Sequence, residues 1–239
     1  MKSTYFKIFI LILGMVLGAR DLYLSLQQNN PSSMASEVTN VQFLEAIKSL
    51  DSEFAADKRV AEALIDMEAD ISQINIHEDE DYVLTWYNFG FTSAYIVFLK
   101  EDSSYTPIYL SKPGRDIKGV SLLDLDIGSK FIEITSYFNT GGHTAEKATL
   151  LMLSEGQATN VWEYETMSVD AGRDLHQRYS TYKIVSYPFD KPQIRVHSIH
   201  TINEDAPTES DTIFEWDETQ NMFIEKQLDI LPGLLIKNE

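Results

Sequence analysis

The chain has 239 residues, 44% of them hydrophobic and 23% charged, with a formal net charge of −18 and no cysteine. Those proportions specify a folded domain with a substantial core rather than a disordered chain. The missing thiols exclude disulfides, thiolate metal sites and a cysteine nucleophile, and the acidic surplus disfavours nucleic acid and anionic lipid surfaces while favouring cationic partners.

The first element is an export signal. Residues 1–19 hold two of the 19 basic residues, Lys2 and Lys7, and none of the 37 acidic ones. An uncharged run from Ile8 to Ala19 follows the basic start, which is the pattern of a secretory signal. Arg20-Asp21 ends that run well short of the ~20 apolar residues of a spanning helix. Leu17 is large where a cleavage site prefers a small residue, so a short membrane anchor is an equal alternative. Residues 1–28 are therefore read as signal peptide or short anchor, and the Ser-rich stretch 29–38 as a linker. Both readings place the bulk of the protein outside the cytoplasm, with the membrane met only through the N-terminal segment.

Helical spacing follows over 39–70. Thr39 or Asn40 can cap it, and Phe43, Ile47, Leu50 and Phe54 fall on one helix face. Asp51-Ser52 can break the run and start a second helix. Residues 71–239 switch to alternation and are read as an antiparallel β domain. Twelve strands are expected: 71–76, 82–87, 93–99, 106–110, 119–123, 131–138, 148–154, 159–166, 180–187, 193–198, 212–216 and 222–227. Most gaps are too short for crossover helices, so neighbours should pair as hairpins. In the sixth strand Ile132, Ile134, Ser136 and Phe138 share the expected core face. Ala148–Leu153 is apolar on both faces and should lie centrally. The fold class is mainly β (α+β): a meander, sandwich or incomplete propeller-like sheet behind an N-terminal helical region. The apolar tail after Leu228, broken by Pro232-Gly233, should pack back on the body.

One stretch carries a motif-like spacing. Leu122-Leu-Asp-Leu-Asp-Ile-Gly-Ser-Lys-Phe-Ile-Glu-Ile134 places Asp124 and Asp126 at the end of one strand and Glu133 on the next. It resembles the acidic loop of FG-GAP or VCBS-type repeats of extracellular β-propellers. That resemblance implies calcium held by Asp124, Asp126 and Glu133. The sequence departs from the pattern at Ile127 and Gly128, where the repeats carry further ligand positions. The competing reading makes Asp124 and Asp126 turn residues bonded to nearby backbone N–H groups.

Other candidates follow from placement. His143, after Gly141-Gly142, is the histidine best placed for an exposed role in partner binding. His197 and His200 lie three apart on a strand and should face opposite ways. His77 sits in the acidic run to Asp81, read as a solvated turn. Glu163 and Glu165 share a strand face, as a carboxylate pair for acid–base hydrolysis would. Trp86, Tyr87, Phe89 and Phe91 form either core or an aromatic platform for a carbohydrate or protein, with Trp86 as its anchor. Residues 204–218 concentrate acid, including Asp211 and Asp217, as a contact for a basic partner.

Gly-x-Ser-x-Gly, phosphate-loop and His-Glu-x-x-His spacings are absent. The favoured function is a non-enzymatic binding or assembly module for a protein or glycan partner outside the cytoplasm. An inhibitor or immunity-type protein against a cationic enzyme and a carboxylate-based hydrolase are the alternatives. No cofactor is expected apart from the calcium that the acidic loop would hold.

Overall fold

A computed structural model describes residues 38–65, 72–75, 82–102, 104–114, 116–125, 127–172, 175–186, 191–203 and 205–226. The signal or anchor, almost all of the linker, His77, Asp126, Glu204 and the apolar tail lie outside the described residues. Among the described residues, no helix is long and apolar enough to cross a membrane.

Among the described residues, three short helices come first: α1 (Asn40–Leu50), α2 (Ser52–Ala56) and α3 (Lys58–Ile65). Thr39 opens α1 with a capping box. Its hydroxyl accepts from the Gln42 N–H at 3.3 Å, and the Gln42 side chain accepts from the Thr39 N–H at 2.9 Å. Asp51 closes α1 and opens α2, its Oδ1 accepting from the Phe54 N–H at 2.9 Å. This is the break expected at Asp51-Ser52.

Twelve strands follow among the described residues, all antiparallel. β1 (Ser72–Asn75), β2 (Tyr82–Asn88), β3 (Ser93–Glu101) and β4 (Ser104–Gly114) form one sheet in sequence order. The rest form an eight-stranded sheet, again in sequence order: β5 (Asp116–Asp124), β6 (Lys130–Thr140), β7 (His143–Ser154), β8 (Gln157–Ala171), β9 (Leu175–Val185), β10 (Gln193–Ile202), β11 (Thr208–Asp217) and β12 (Met222–Glu225). Its midpoint is narrow. β8 and β9 pair only over Met167–Ala171 and Leu175–Tyr179, so their other ends diverge. The sheet thereby divides into two halves, β5–β8 and β9–β12, which turn toward each other.

Three apolar clusters make this a stack of layers. Phe43, Ala46, Ile47, Val60 and Leu64 of the helices pack on Val83, Ile96 and Phe98 of the first sheet. The other face of that sheet presents Tyr82, Leu84, Tyr95 and Val97 to Ile117, Ile132, Ile134, Leu151 and Leu153. Beyond these, Phe131, Ala148, Leu150 and Val161 meet Ile194, Val196, Trp216 and Phe223 of the last four strands. The order is helices, four strands, four strands, four strands.

β7 is apolar on both sides because it is covered on both sides, as expected for a central strand: Leu151 and Leu153 face one cluster, Ala148 and Leu150 the other. The core face expected for the sixth strand holds: Ile132, Ile134 and Ser136 are buried, with Phe138 37% exposed at the strand's far end, and Phe131 on the opposite face is buried as well.

Two glycine sites are conformational requirements. Gly141 and Gly142 (φ 57° and 100°) make the two-residue turn between Thr140 and His143, where both positions need positive φ. Gly114 (φ 127°) lies where the first sheet meets β6, and a Cβ there would stand 3.0 Å from the Tyr137 carbonyl oxygen.

Candidate functional site

In a meander, every second turn falls at the same end. The β5–β6, β7–β8, β9–β10 and β11–β12 connections therefore gather where the two halves of the large sheet spread apart. They frame an open cleft of about 700 Å³. Ile127 and Ser129 come from the first connection, Ser154 and Glu155 from the second, Lys191 and Pro192 from the third, and Glu218 and Asn221 from the fourth, over a floor of Met152 and Trp216.

Each wall is held in place. The Trp216 ring sits edge-on to Phe131 at 6.1 Å and to Phe223 at 5.2 Å. Its backbone N–H donates to the Pro192 carbonyl at 3.0 Å. The Ser186 hydroxyl donates to the Leu125 carbonyl at 3.0 Å, joining the third connection to the first. Asp217 accepts from the Thr219 N–H (2.7 Å), the Thr219 hydroxyl (2.6 Å) and the Gln220 N–H (3.1 Å). Those bonds, the Thr219 hydroxyl first, hold its carboxyl below the usual aspartate value. Glu215 accepts from Lys226 at 2.8 Å and Gln193 at 3.2 Å, and its carboxyl is lowered chiefly by the Lys226 bond. The lining is mostly polar, with one ammonium, two carboxylates, two hydroxyls and an amide around a small apolar floor.

The opposite, closed end is polar. His143 starts β7, and its Nε2 lies 3.6 Å from Glu165, which also takes Arg178 at 2.9 Å. Arg178 stacks over Tyr164 at 5.6 Å. The Tyr164 hydroxyl meets Ser198 at 3.2 Å, and Ser198 meets Ser180 at 2.8 Å. The rings of His176 and His200 stack at 5.8 Å. These contacts sew β7, β8, β9 and β10 together beside their narrow junction.

The residues singled out in sequence are dispersed. Asp124 ends β5 opposite Lys130, at 4.0 Å, and Glu133 is opposite Ser121. Ser121 and Asp124 are three positions apart on the strand, so Asp124 and Glu133 project from opposite faces of the sheet. Glu133 instead accepts a hydrogen bond from the Tyr182 hydroxyl. The pair implied as calcium ligands therefore does not converge. Among the described residues, no group of three or more histidine, aspartate or glutamate side chains is arranged to hold a metal.

Glu163 and Glu165 are each taken by a separate cation, Lys147 at 3.0 Å and Arg178 at 2.9 Å. His197 pairs with Asp211 at 2.9 Å, while His200 stacks on His176 from the other face of β10. Trp86 packs partly buried against the second apolar cluster. Tyr87, Phe89 and Phe91 pack beneath the helices instead, with Phe54 and Phe89 edge-on at 5.7 Å and Arg59 over Phe91 at 4.0 Å. Asp217 serves the cleft by shaping its fourth turn. Comparison of the chain with protein-family models, curated proteins and solved structures returns no match.

Proposed function

We propose that this protein is a non-catalytic binding module working outside the cytoplasm, and that it grips its partner in the cleft between the two halves of the large sheet. The cleft itself carries the reading. Turns are where a rigid β scaffold presents recognition groups, and four of them converge here on a cleft lined mainly by polar groups. The placement outside the cytoplasm rests on the basic-then-apolar N-terminal sequence.

The lining favours a polypeptide over a glycan. Trp216 is only 5% exposed, so its ring offers little stacking face to a sugar. Ile127, Met152 and Pro192 suit an apolar side chain, and Glu155 and Glu218 suit a neighbouring lysine or arginine. The whole-chain charge of −18 draws such a segment in.

The test is a screen of the full chain against peptide and glycan arrays, with Ser154→Arg and Ser129→Arg filling the cleft and Thr181→Arg on the outer face of β9 as control. Peptide hits with apolar-basic pairs, lost in both cleft variants and kept in the control, are expected. Hits that survive the cleft variants, or hits confined to glycans, overturn the reading.

A further inference from the structure

Among the described residues, four that are not glycine hold a left-handed backbone: Asp102, Glu155, Asn203 and Asn221. For Asp102, Asn203 and Asn221 the residue type accounts for it, because short Asp and Asn side chains bond the local backbone and tolerate positive φ. Glu155 (φ 52°) is the exception. With Gly156 (φ 73°) it makes the two-residue turn between Ser154 and Gln157, where both positions need positive φ and Asn-Gly or Asp-Gly is the favoured pair. A glutamate there carries a backbone cost that asparagine would lower. No polar contact within the fold offsets it: the Glu155 side chain is exposed and, among the described residues, makes no hydrogen bond or ion pair.

We propose that Glu155 is the specificity-determining residue of the cleft, and that it holds the ammonium or guanidinium of a lysine or arginine in a polypeptide partner; this rests on the cleft being the binding site. Residues kept in a left-handed conformation against local preference gather at ligand clamps, and Glu155 lines the cleft. The charge there is one-sided. Glu218, the other carboxylate of the lining, is likewise without a hydrogen bond or ion pair among the described residues. Lys191, the ammonium of the lining, is already near a carboxylate: Glu215 is lowered first by its Lys226 bond and further by the charge of Lys191. The lining thus keeps an uncompensated negative charge that a cationic side chain would complement. The turn that carries Glu155 is also fixed. The Gly156 N–H donates to the hydroxyl of buried Tyr82 at 2.8 Å, and a Cβ on Gly156 would stand 3.5 Å from Leu99, so the turn is tied to the first sheet. A carboxylate on such a turn meets its cation with little ordering left to do.

The probes are array peptides carrying an isoleucine-lysine pair, and the same peptides with norleucine in place of lysine, tested on the full chain. Wild type should hold the lysine peptides about tenfold more tightly than the norleucine ones. Glu155→Gln, equal in length but uncharged, should abolish that preference. Glu155→Asn should abolish it too, and at the same time raise the thermal midpoint by about 2–4 °C, because asparagine suits the turn. A gain in stability together with a loss of selectivity is a signature that a merely structural glutamate would not give. Peptides that bind, are blocked by Ser154→Arg, and keep their lysine preference in Glu155→Gln overturn the role of Glu155 while leaving the cleft in place. Glu155→Asn no more stable than wild type overturns the backbone argument without reference to any ligand. Peptides that do not bind at all, or that bind equally to Ser154→Arg, overturn the cleft and the role of Glu155 together.

Discussion

Tyr182 of β9 donates its phenolic hydrogen to the carboxylate of Glu133 on β6, across the interior between the two halves of the large sheet. Their strands share no ladder. The bond is thus one of the few polar ties that fix how far the halves close, alongside the Ser186–Leu125 bond.

Replacing Tyr182 by Phe should therefore cost about 1–2 kcal/mol, because a charge-assisted bond is lost and a half-buried carboxylate keeps no phenol. Urea unfolding checks the size. A double-mutant cycle with Glu133→Gln should return a coupling of similar magnitude, and additive effects would mean the two side chains act independently.

The helices are pinned to the first sheet by Asp51. Its Oδ2 takes Lys112 of β4 at 2.6 Å while its Oδ1 caps α2. The Lys112 bond, then the Phe54 N–H, lowers its carboxyl from the ordinary 3.8. A lowered folded value stabilises the fold fully above the unfolded value, and the gain is lost as pH falls through the folded value. Wild type should exceed Asp51→Asn in stability at neutral pH, and the gap should shrink below about pH 4. Denaturation midpoints measured across acid pH, with helical circular dichroism as the probe, test this.

Gly114 combines positive φ with a near contact to the Tyr137 carbonyl. Gly114→Ala should destabilise the protein by about 1–3 kcal/mol through backbone strain and a forced shift of β4 away from β6. Gly119→Ala, where a Cβ meets open space, is the matched control and should change stability far less. Thermal melts of the two variants side by side make the comparison.

Phe131 is fully buried against Trp216. Phe131→Ala should cost about 3–5 kcal/mol. It should also loosen Trp216, seen as a shift in tryptophan emission, and with it the floor of the cleft.

Much of the scaffold is legible in the residues. Alternation located the strands because most are half-buried, and β7 announced its central place by being apolar on both faces. Strand ends were shorter in sequence than in space. β7 extends into Glu146 and Lys147 and β8 into Ser168–Ala171, mixed residues that the ladder carries along. Phe131 is buried on the strand's second face, which periodicity does not reveal because it reports which residues alternate, not how many layers cover them. Cleft residues such as Glu155, Glu218 and Asn221 fall in the gaps between expected strands, and no single gap carries a pattern that marks a site. The joining signal was available: an unbroken meander sends alternate turns to one end. The meeting of His143 and Arg178 on Glu165 has no such signal, since Arg178 reaches Glu165 only through the β8–β9 pairing.

Because every hydrogen-bonded strand partner among the described residues is the adjacent strand in the chain, each ladder closes a short loop, and ordering proceeds without waiting for distant segments. A chain emerging N-terminus first can finish its layers in turn, each completed sheet serving as the template for the next. The last layer is the exception in consequence. Until β9–β12 arrive, Phe131, Leu150 and Trp162 form an uncovered aromatic and aliphatic wall. Synthesis arrested between β8 and β9 would release a sticky intermediate rather than a smaller version of the protein.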